Sequence, residues 1–199
     1  IESVSSDYQR WNLASFMGRV NYNYKDRYLL TVSARYDGSS RLAPGHKWVL
    51  FPSAALAWRV KEESFLKDVD CLSNLKLRLG WGITGNTAID PYKTQGSLEY
   101  GRYSYGSNGV LAFYQKEMPN PNLSWEKTEQ WNTGIDFGFL NGRIGGSVDL
   151  YLQNTNDLLM DRQLPVVSGF GNVTTNIGQI RNKGLEVTLN TVNIDTKDF

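Results

Sequence analysis

The chain has 199 residues, a formal net charge of +1 and a mean hydropathy of -0.43. A near-neutral charge without a basic run excludes the electrostatic footprint of a nucleic-acid-binding protein, and a lone cysteine, Cys71, excludes an internal disulfide framework. The longest apolar stretch, around Val49 to Trp58, is far shorter than the roughly 20 residues that a membrane-spanning helix needs, so any membrane span must be built from strands.

Alternation of apolar and polar residues predicts about seven strands with little helix between them. The first two strands form a hairpin with a tight turn at residues 25–27, which sets Tyr24 against Tyr28 and Phe16 against Tyr36. One face of this hairpin is apolar and carries Phe16, Gly18, Val20, Tyr22, Tyr24, Tyr28, Leu30, Val32, Ala34 and Tyr36. The opposite face is polar and carries Arg19, Asn21, Asn23, Thr31, Ser33 and Arg35.

The dimensions of this hairpin indicate a membrane. The stretch from Tyr28 to Tyr36 covers about 26 Å of strand, or roughly 20 Å of height at a tilt near 40°, which is close to the ~25 Å apolar band of an outer-membrane barrel. Aromatic residues at both ends of the apolar face are typical of the girdles of such barrels. The predicted lipid-facing girdle comprises Tyr22, Tyr24, Tyr28, Tyr36, Trp131 and Phe137.

The remaining strands follow in chain order. They are predicted at about residues 48–60, 75–84, 128–139, 144–153 and 184–191, with an Asn141-Gly142 turn between the fifth strand and the sixth. Short turns at 25–27 and 140–143 and a moderate link at 61–74 fall at one end of the predicted sheet. Longer connections at 38–47, 85–127 and 155–183 fall at the other end, and this asymmetry is typical of outer-membrane barrels. A soluble β-sandwich shows the same alternation and is the alternative fold.

An ordered set of short blocks resembles the SusC/RagA-like TonB-dependent outer-membrane transporters. The blocks are RYDGSSR (35–41), APG (43–45), FPS (51–53), GITGN (82–86), PNPNLSWE (119–126), TEQWNTGIDFG (128–138), NIG (176–178) and NKGLE (182–186). No single block is specific, but the ordered set covers most of the chain. Leu42 departs from the resemblance because it stands where an aromatic residue is expected.

The resemblance implies an all-β antiparallel meander that forms part of a transmembrane barrel of about 22 strands in the outer membrane. It also implies a nutrient importer, for glycans or oligopeptides, that works with a SusD-like surface lipoprotein and with TonB and has no cofactor, metal or enzymatic activity. Residues 1–199 correspond to a partial barrel domain, with the plug domain and the TonB-contacting segment absent. The start at Ile1-Glu2-Ser3, without an initiator Met or a leader, predicts a mature chain or an excised piece.

Several other functions share parts of this pattern. A passive porin or a different TonB-dependent receptor, such as one for siderophores, is the first alternative, and a soluble carbohydrate-binding module is the second. Gly80, Gly82 and Gly85 match the spacing of a dinucleotide-binding loop, but no helix pattern follows them, which disfavours a nucleotide site. His46 is the only histidine and predicts a surface loop residue rather than a catalytic base.

Two polar clusters carry further expectations. The acidic residues Glu62, Glu63, Asp68 and Asp70 lack the spacing of a calcium loop and predict a solvated turn. The longest connection is rich in aromatic residues among Gly, Ser, Asn and Gln, and tyrosine suits both sugar rings and protein partners. The candidate contacts to substrate or partner are Tyr92, Tyr100, Tyr103 and Tyr105, with packing of the loop against itself as the alternative.

Overall fold

The computed structural model describes residues 8–193, so the expectation drawn from Ile1-Glu2-Ser3 lies outside the described residues. The described residues form eleven strands and two 3-10 turns, Val60–Glu62 and Val166–Ser168. The strands are Leu13–Tyr24 (β1), Tyr28–Ser39 (β2), Trp48–Arg59 (β3), Leu72–Asn86 (β4), Leu98–Tyr105 (β5), Asn108–Gln115 (β6), Glu126–Phe139 (β7), Ile144–Asn156 (β8), Leu159–Gln163 (β9), Asn172–Asn176 (β10) and Gln179–Thr191 (β11).

Seven of these strands form one antiparallel sheet in the order β1-β2-β3-β4-β7-β8-β11. The other four form two separate hairpins, β5-β6 and β9-β10, which are inserted into the long connections. The first and last strands of the sheet lie at opposite edges and do not pair, so the sheet is an open meander. The predicted all-β antiparallel class is confirmed.

The predicted number of strands was too low, and several predicted strand boundaries were wrong; β8, for example, ends at Asn156 rather than at Gln153. The sequence pattern predicts loops at both inserted hairpins, because Gly101 and Gly109 interrupt the alternation of β5-β6 and because β9 and β10 have only five residues each. The strand β11 begins at Gln179 rather than at Gly184, and β4 begins at Leu72 rather than at Leu75. Residues 179–183 at the start of β11 contain one apolar residue, Ile180, and it lies on the polar face, so the period-2 pattern is lost there even though the backbone pairs continuously with β8.

The predicted pairing of the first hairpin is confirmed. Tyr24 pairs with Tyr28 and Phe16 pairs with Tyr36. Lys25 and Asp26 have φ angles of 54° and 53°, which is the backbone of a type I′ turn. Such a turn matches the twist of the two strands and fixes their register. The backbone N–H of Arg27 donates to the Tyr24 carbonyl at 3.1 Å and closes the turn.

The register extends the two faces of the first hairpin over the whole sheet. We call the face that contains Val20 and Val32 the apolar face; it continues through Ala54, Leu79, Trp131, Val148 and Val187. The other face is the polar face; it carries Thr31, Ser33, Arg78, Asn132, Asp149 and Glu186. Large side chains on the apolar face are exposed, with Val20 at 69% and Trp131 at 44% of full accessibility. Within residues 8–193 no helix has the length and hydropathy of a membrane span.

The apolar band crosses the register rows obliquely. The middle of the band is Val32 on β2 and Val148 on β8, yet Val148 is level in register with Tyr28 rather than with Val32. That row contains Tyr28, Trp58, Leu77, Ile135, Val148 and Val187. The band therefore moves by about 13 Å along the strands toward the short-turn end. A horizontal band produces this shift only if the strands lean, as they do in transmembrane barrels.

A small hydrophobic core closes the long-loop end of the sheet. The buried side chains are Leu42, Phe51, Leu123 and Trp125. The rings of Phe51 and Trp125 meet edge to face with centroids 5.3 Å apart, and the Trp125 indole N–H donates to the Lys47 carbonyl at 2.9 Å. Leu42 is 1% exposed, so the residue that departs from the family resemblance still fills the core.

Asn176 ties the connection after β8 to this core. Its side-chain amide accepts from the Ser124 N–H at 2.8 Å and donates to the Ser124 and Asp157 carbonyls at 2.9 Å each. The Asn120 amide donates to the Thr174 carbonyl at 2.9 Å. Residues that are far apart in the chain thus meet here and join the connection before β7 to the connection after β8.

Candidate functional site

The polar face is centred on an arginine that is shared by two carboxylates. The Arg78 guanidinium contacts Asp136 at 2.6 Å and Asp149 at 2.8 Å, and the Lys76 ammonium lies 3.7 Å from Asp136. These residues come from β4, β7 and β8, which are adjacent in the sheet. Because all four side chains are partly exposed, the cluster gives the face a fixed pattern of charge that a polar solute or a protein surface can contact.

A glycine makes room for this arrangement. Gly134 lies on β7 directly between Arg78 and Asp149 in register. A Cβ atom at this position would lie 3.0 Å from the Arg78 guanidinium, and it would clash outright with the Asp149 carboxylate. Gly184 on β11 plays the same part for Tyr151, whose ring lies over it. Two glycines of the resemblance blocks, Gly134 and Gly184, therefore leave room for larger side chains on the polar face.

An open depression of about 530 Å³ adjoins the charged cluster. Its lining is Arg78, Gln130, Asn132, Asp149, Tyr151, Gln153, Asn182 and Glu186. These amides, hydroxyl and charges can donate and accept hydrogen bonds in many orientations. In the described part of the chain, no group of three or more His, Cys, Asp or Glu side chains is arranged to hold a metal ion.

The structure separates the four tyrosines of the long connection. Tyr100, Tyr103 and Tyr105 lie on the β5-β6 hairpin, whereas Tyr92 lies before it. The Tyr92 hydroxyl accepts from the Arg10 N–H and donates to the Arg10 carbonyl, both at 3.2 Å. Tyr92 therefore joins the base of the connection to the segment before β1, which favours a packing role for this residue.

The β5-β6 hairpin presents aromatic side chains on both faces. The pairing places Tyr100 against Phe113 on one face and Tyr103 against Val110 on the other. One face carries Leu98, Tyr100, Arg102, Leu111 and Phe113, and the other carries Glu99, Tyr103, Tyr105, Val110 and Tyr114. Tyr105 is 78% exposed and Tyr100 is 69% exposed. Since an isolated two-stranded hairpin is only marginally stable in water, these exposed faces are suited to a partner or a ligand.

The predicted girdle residues lie on the apolar face. Tyr24 and Tyr28 stand at the short-turn end with ring centroids 6.3 Å apart, and Tyr36 stacks on Trp48 at the long-loop end at 5.0 Å. Tyr22 and Trp131 are exposed, and Phe137 is half-buried against Phe139 at 5.9 Å. Contact of these rings with lipid remains a prediction.

The glycine spacing that matches a dinucleotide-binding loop has a packing explanation. Gly80, Gly82 and Gly85 all lie within β4, and no helix follows this strand among residues 8–193. A Cβ atom at Gly85 would clash with the Phe51 ring and lie 2.8 Å from Trp125. The third glycine of the spacing is thus required by the loop-end core.

The expectation of a solvated acidic turn is wrong for one of its residues. Glu63 is only 9% exposed. Its carboxylate accepts from the Tyr28 hydroxyl at 2.7 Å, the Trp58 indole N–H at 3.1 Å and the Arg27 guanidinium at 3.0 Å. These donors, Tyr28 foremost, hold the pKa of the Glu63 carboxyl below its ordinary value despite burial. Spacing alone could not reveal this site because its donors come from β2, from β3 and from the turn before β2.

Together, an exposed apolar band, a polar opposite face, short turns at one end and long loops at the other define a stretch of outer-membrane β-barrel wall. Residues 2–195 match the family described as TonB dependent receptor-like, beta-barrel, and the chain belongs to this family.

The relatives place the chain in the SusC/RagA-like group. It is 48% identical to the TonB-dependent receptor SusC of Bacteroides thetaiotaomicron over 96% of its own length and 19% of SusC. It is 40% identical to the TonB-dependent receptor P26 of Formosa agariphila over 98% of its length and 20% of that protein. The chain thus spans about a fifth of the length of these curated relatives.

Solved structures agree on the fold. The RagAB peptide importer in its open-open state has a TM-score of 0.85 with 31% identity, over 94% of this chain and 20% of that chain. The siderophore receptor PirA of Pseudomonas aeruginosa has a TM-score of 0.60 with 16% identity, over 90% of this chain and 31% of that chain, which shows the fold alone.

Proposed function

We propose that this chain is part of an active importer that captures a glycan or an oligopeptide under a SusD-like lipoprotein lid. TonB then displaces a plug, located elsewhere in the full protein, and the nutrient passes through the barrel. The observation that carries this proposal is the 48% identity to SusC along almost the whole chain. The 31% identity to a structure described as a peptide importer supports the same transport mode.

The β5-β6 hairpin is the part of this chain that contacts the lid or the substrate. It lies at the long-loop end, which is extracellular in outer-membrane barrels. Its exposed tyrosines, Tyr100, Tyr103 and Tyr105, supply apolar ring faces together with hydroxyl groups, the combination that binds sugar rings and protein surfaces alike. The polar face, with the Arg78 cluster, lines the path below.

A siderophore receptor shares the fold at 16% identity, so the fold does not select the substrate. The test is energised uptake by the intact protein in cells. Labelled oligosaccharides and oligopeptides, with ferric siderophores as the comparison, are offered to cells with the native transporter, to cells that lack it, and to cells in which its TonB-contacting segment is deleted.

We expect uptake of one of these two classes only in cells with the native transporter. Deletion of the partner lipoprotein should reduce uptake while leaving the barrel in the membrane. Uptake that persists without the TonB-contacting segment would identify a passive porin, and uptake of ferric siderophores alone would identify the other receptor class.

A further inference from the structure

On β7, β8 and β11 the apolar face becomes polar toward the long-loop end, beyond the limit of the apolar band. We call these positions outward because they share the face of that band. On these strands the band ends toward the long loops at Trp131, Leu152 and Leu185, respectively. The outward positions beyond that limit are Lys127, Glu129, Asn154, Asn156, Gln179, Arg181 and Lys183. On β2 and β3, by contrast, the apolar face stays aromatic up to Tyr36 and Trp48. A localised polar patch therefore stands above the lipid-facing surface.

We propose that Lys127, Arg181 and Lys183 bind the phosphate groups of a phosphorylated glycolipid in the outer leaflet. Lys183 shares a register row with Trp131, through Leu152. Because the strands lean, Lys183 stands several ångströms nearer the extracellular side than this girdle tryptophan. Lys127 and Arg181 stand higher still on their strands. All three lie at the level where headgroups meet acyl chains.

The charges of this patch are available to a ligand. Lys127, Arg181 and Lys183 are exposed, and none has a carboxylate within 4.0 Å in the described part of the chain. The Arg181 Nε donates to the Asn154 side-chain oxygen at 2.8 Å, which orients the guanidinium. Phosphate oxygens match such a planar fork, and they match lysine ammonium groups as point charges.

One carboxylate shares these outward positions, and it is already engaged. The Glu129 Oε1 accepts from the Trp81 indole N–H at 2.9 Å and from the Trp131 indole N–H at 3.1 Å. These bonds hold the carboxylate on the β4 side, while Asn154 separates it in register from Arg181. Arg181 and Lys183 on β11 thus face solvent, whereas the neighbouring Glu129 carboxylate faces the two tryptophans.

The apolar band below the patch identifies the ligand as a lipid. Leu185, Val187 and Leu189 on β11 are each more than 60% exposed directly beneath Lys183. A molecule that covers these side chains and also reaches the three cations must carry acyl chains below a phosphorylated head. A soluble anion fills only the upper part of this surface, and a soluble protein has no access to the lower part within the bilayer.

The test uses the intact transporter, purified in detergent and freed of bound lipid. The variant combines Lys127→Gln, Arg181→Gln and Lys183→Gln. The control combines Lys25→Gln, Lys67→Gln and Arg143→Gln, which removes the same charge from exposed cations at the short-turn end. Binding is measured by native mass spectrometry with lipid A and with dephosphorylated lipid A, and heat-modifiable migration in gels verifies that each barrel is folded.

We expect the variant to bind lipid A at least about tenfold more weakly than the native protein and the control, since each cation near an anionic surface contributes roughly a factor of five. Dephosphorylated lipid A should bind equally to all three proteins. The conservative Lys183→Arg variant should retain native binding. Equal lipid A binding by the variant and the control would overturn the proposal, as would a difference that persists without the phosphates. Failure of the import proposal would leave this result unaffected.

Discussion

At the scale of single residues, Gly85 in the loop-end core leaves no room for a side chain. A Cβ at Gly85 would overlap the Phe51 ring, whereas a Cβ at Gly18 on the apolar face would meet no atom within 4 Å. We expect Gly85→Ala in the intact transporter to cost about 1–3 kcal/mol, because overpacking forces ring movement in a filled core. Gly18→Ala is the matched control. The temperature at which the folded band disappears from gels measures the stability of each variant. Equal temperatures for the two variants would contradict the packing account.

The facing assignment predicts a second contrast between neighbours on β2. Val32 lies on the apolar face between Val20 and Ala54, and Ser33 lies on the polar face with its hydroxyl 2.6 Å from that of Ser53. Val32→Arg in the full-length transporter should cost about 2–4 kcal/mol near the bilayer midplane, while Ser33→Arg should cost far less. Refolding into vesicles at graded urea measures the two free energies of unfolding. Equal destabilisation would refute the assignment.

Glu63 makes the stability of the short-turn end depend on pH. Its carboxyl pKa is depressed in the folded protein, so its stabilising bonds are fully present above the ordinary glutamate pKa and are lost as the pH falls through the lower folded value. We therefore expect Glu63→Gln to destabilise the barrel at neutral pH and the difference from the native protein to shrink in acid. Unfolding temperatures from pH 7 down to pH 3 test this, with exposed Glu62→Gln as the control. A difference that grows in acid would be the contrary result.

At the scale of elements, the β5-β6 hairpin is a separable unit. The Lys116 N–H donates to the Ser97 carbonyl at 2.8 Å, and the Lys93 ammonium contacts Glu117 at 2.6 Å, so the base of the hairpin is already closed. Replacing Leu98–Gln115 by a short Gly-Ser linker should leave barrel assembly intact while weakening uptake or lid association. The shorter deletion of residues 98–109 would remove β5 and leave β6 unpaired. Wild-type uptake and lid binding after the full replacement would reject a binding role.

The elements differ in how far their structure can be predicted from the sequence. The first hairpin is predictable in register because alternation, a tight turn at residues 25–27 and aromatic residues at both ends all agree. The β5-β6 hairpin does not follow from the sequence pattern, because Gly101 and Gly109 interrupt the alternation of its two strands. Glu63 and the Arg78 cluster depend on partners from other strands, and such contacts follow from register rather than from local pattern.

At the scale of the whole molecule, the sheet has two open edges, β1 and β11. Each edge presents unpaired backbone groups, and the apolar face adds a broad exposed surface, so the chain alone should aggregate in water. Light scattering of the isolated chain after dilution from urea tests this expectation. A soluble monomer with protected amides on both edge strands would contradict it. The full-length transporter in detergent is the comparison that should remain monodisperse.

Because the apolar band crosses the register rows obliquely, the rows on the polar face are also oblique to the membrane plane. If the membrane plane cuts the register rows at an angle, residues that are neighbours across the sheet lie at different depths in the lumen. Ala57, Arg78, Gly134, Asp149 and Glu186 share one row, and they form successive steps of a spiral. In the proposed importer, a solute that moves along the barrel axis would therefore meet Arg78, Asp149 and Glu186 at successive depths, and each charged side chain could bind it as the previous one releases it.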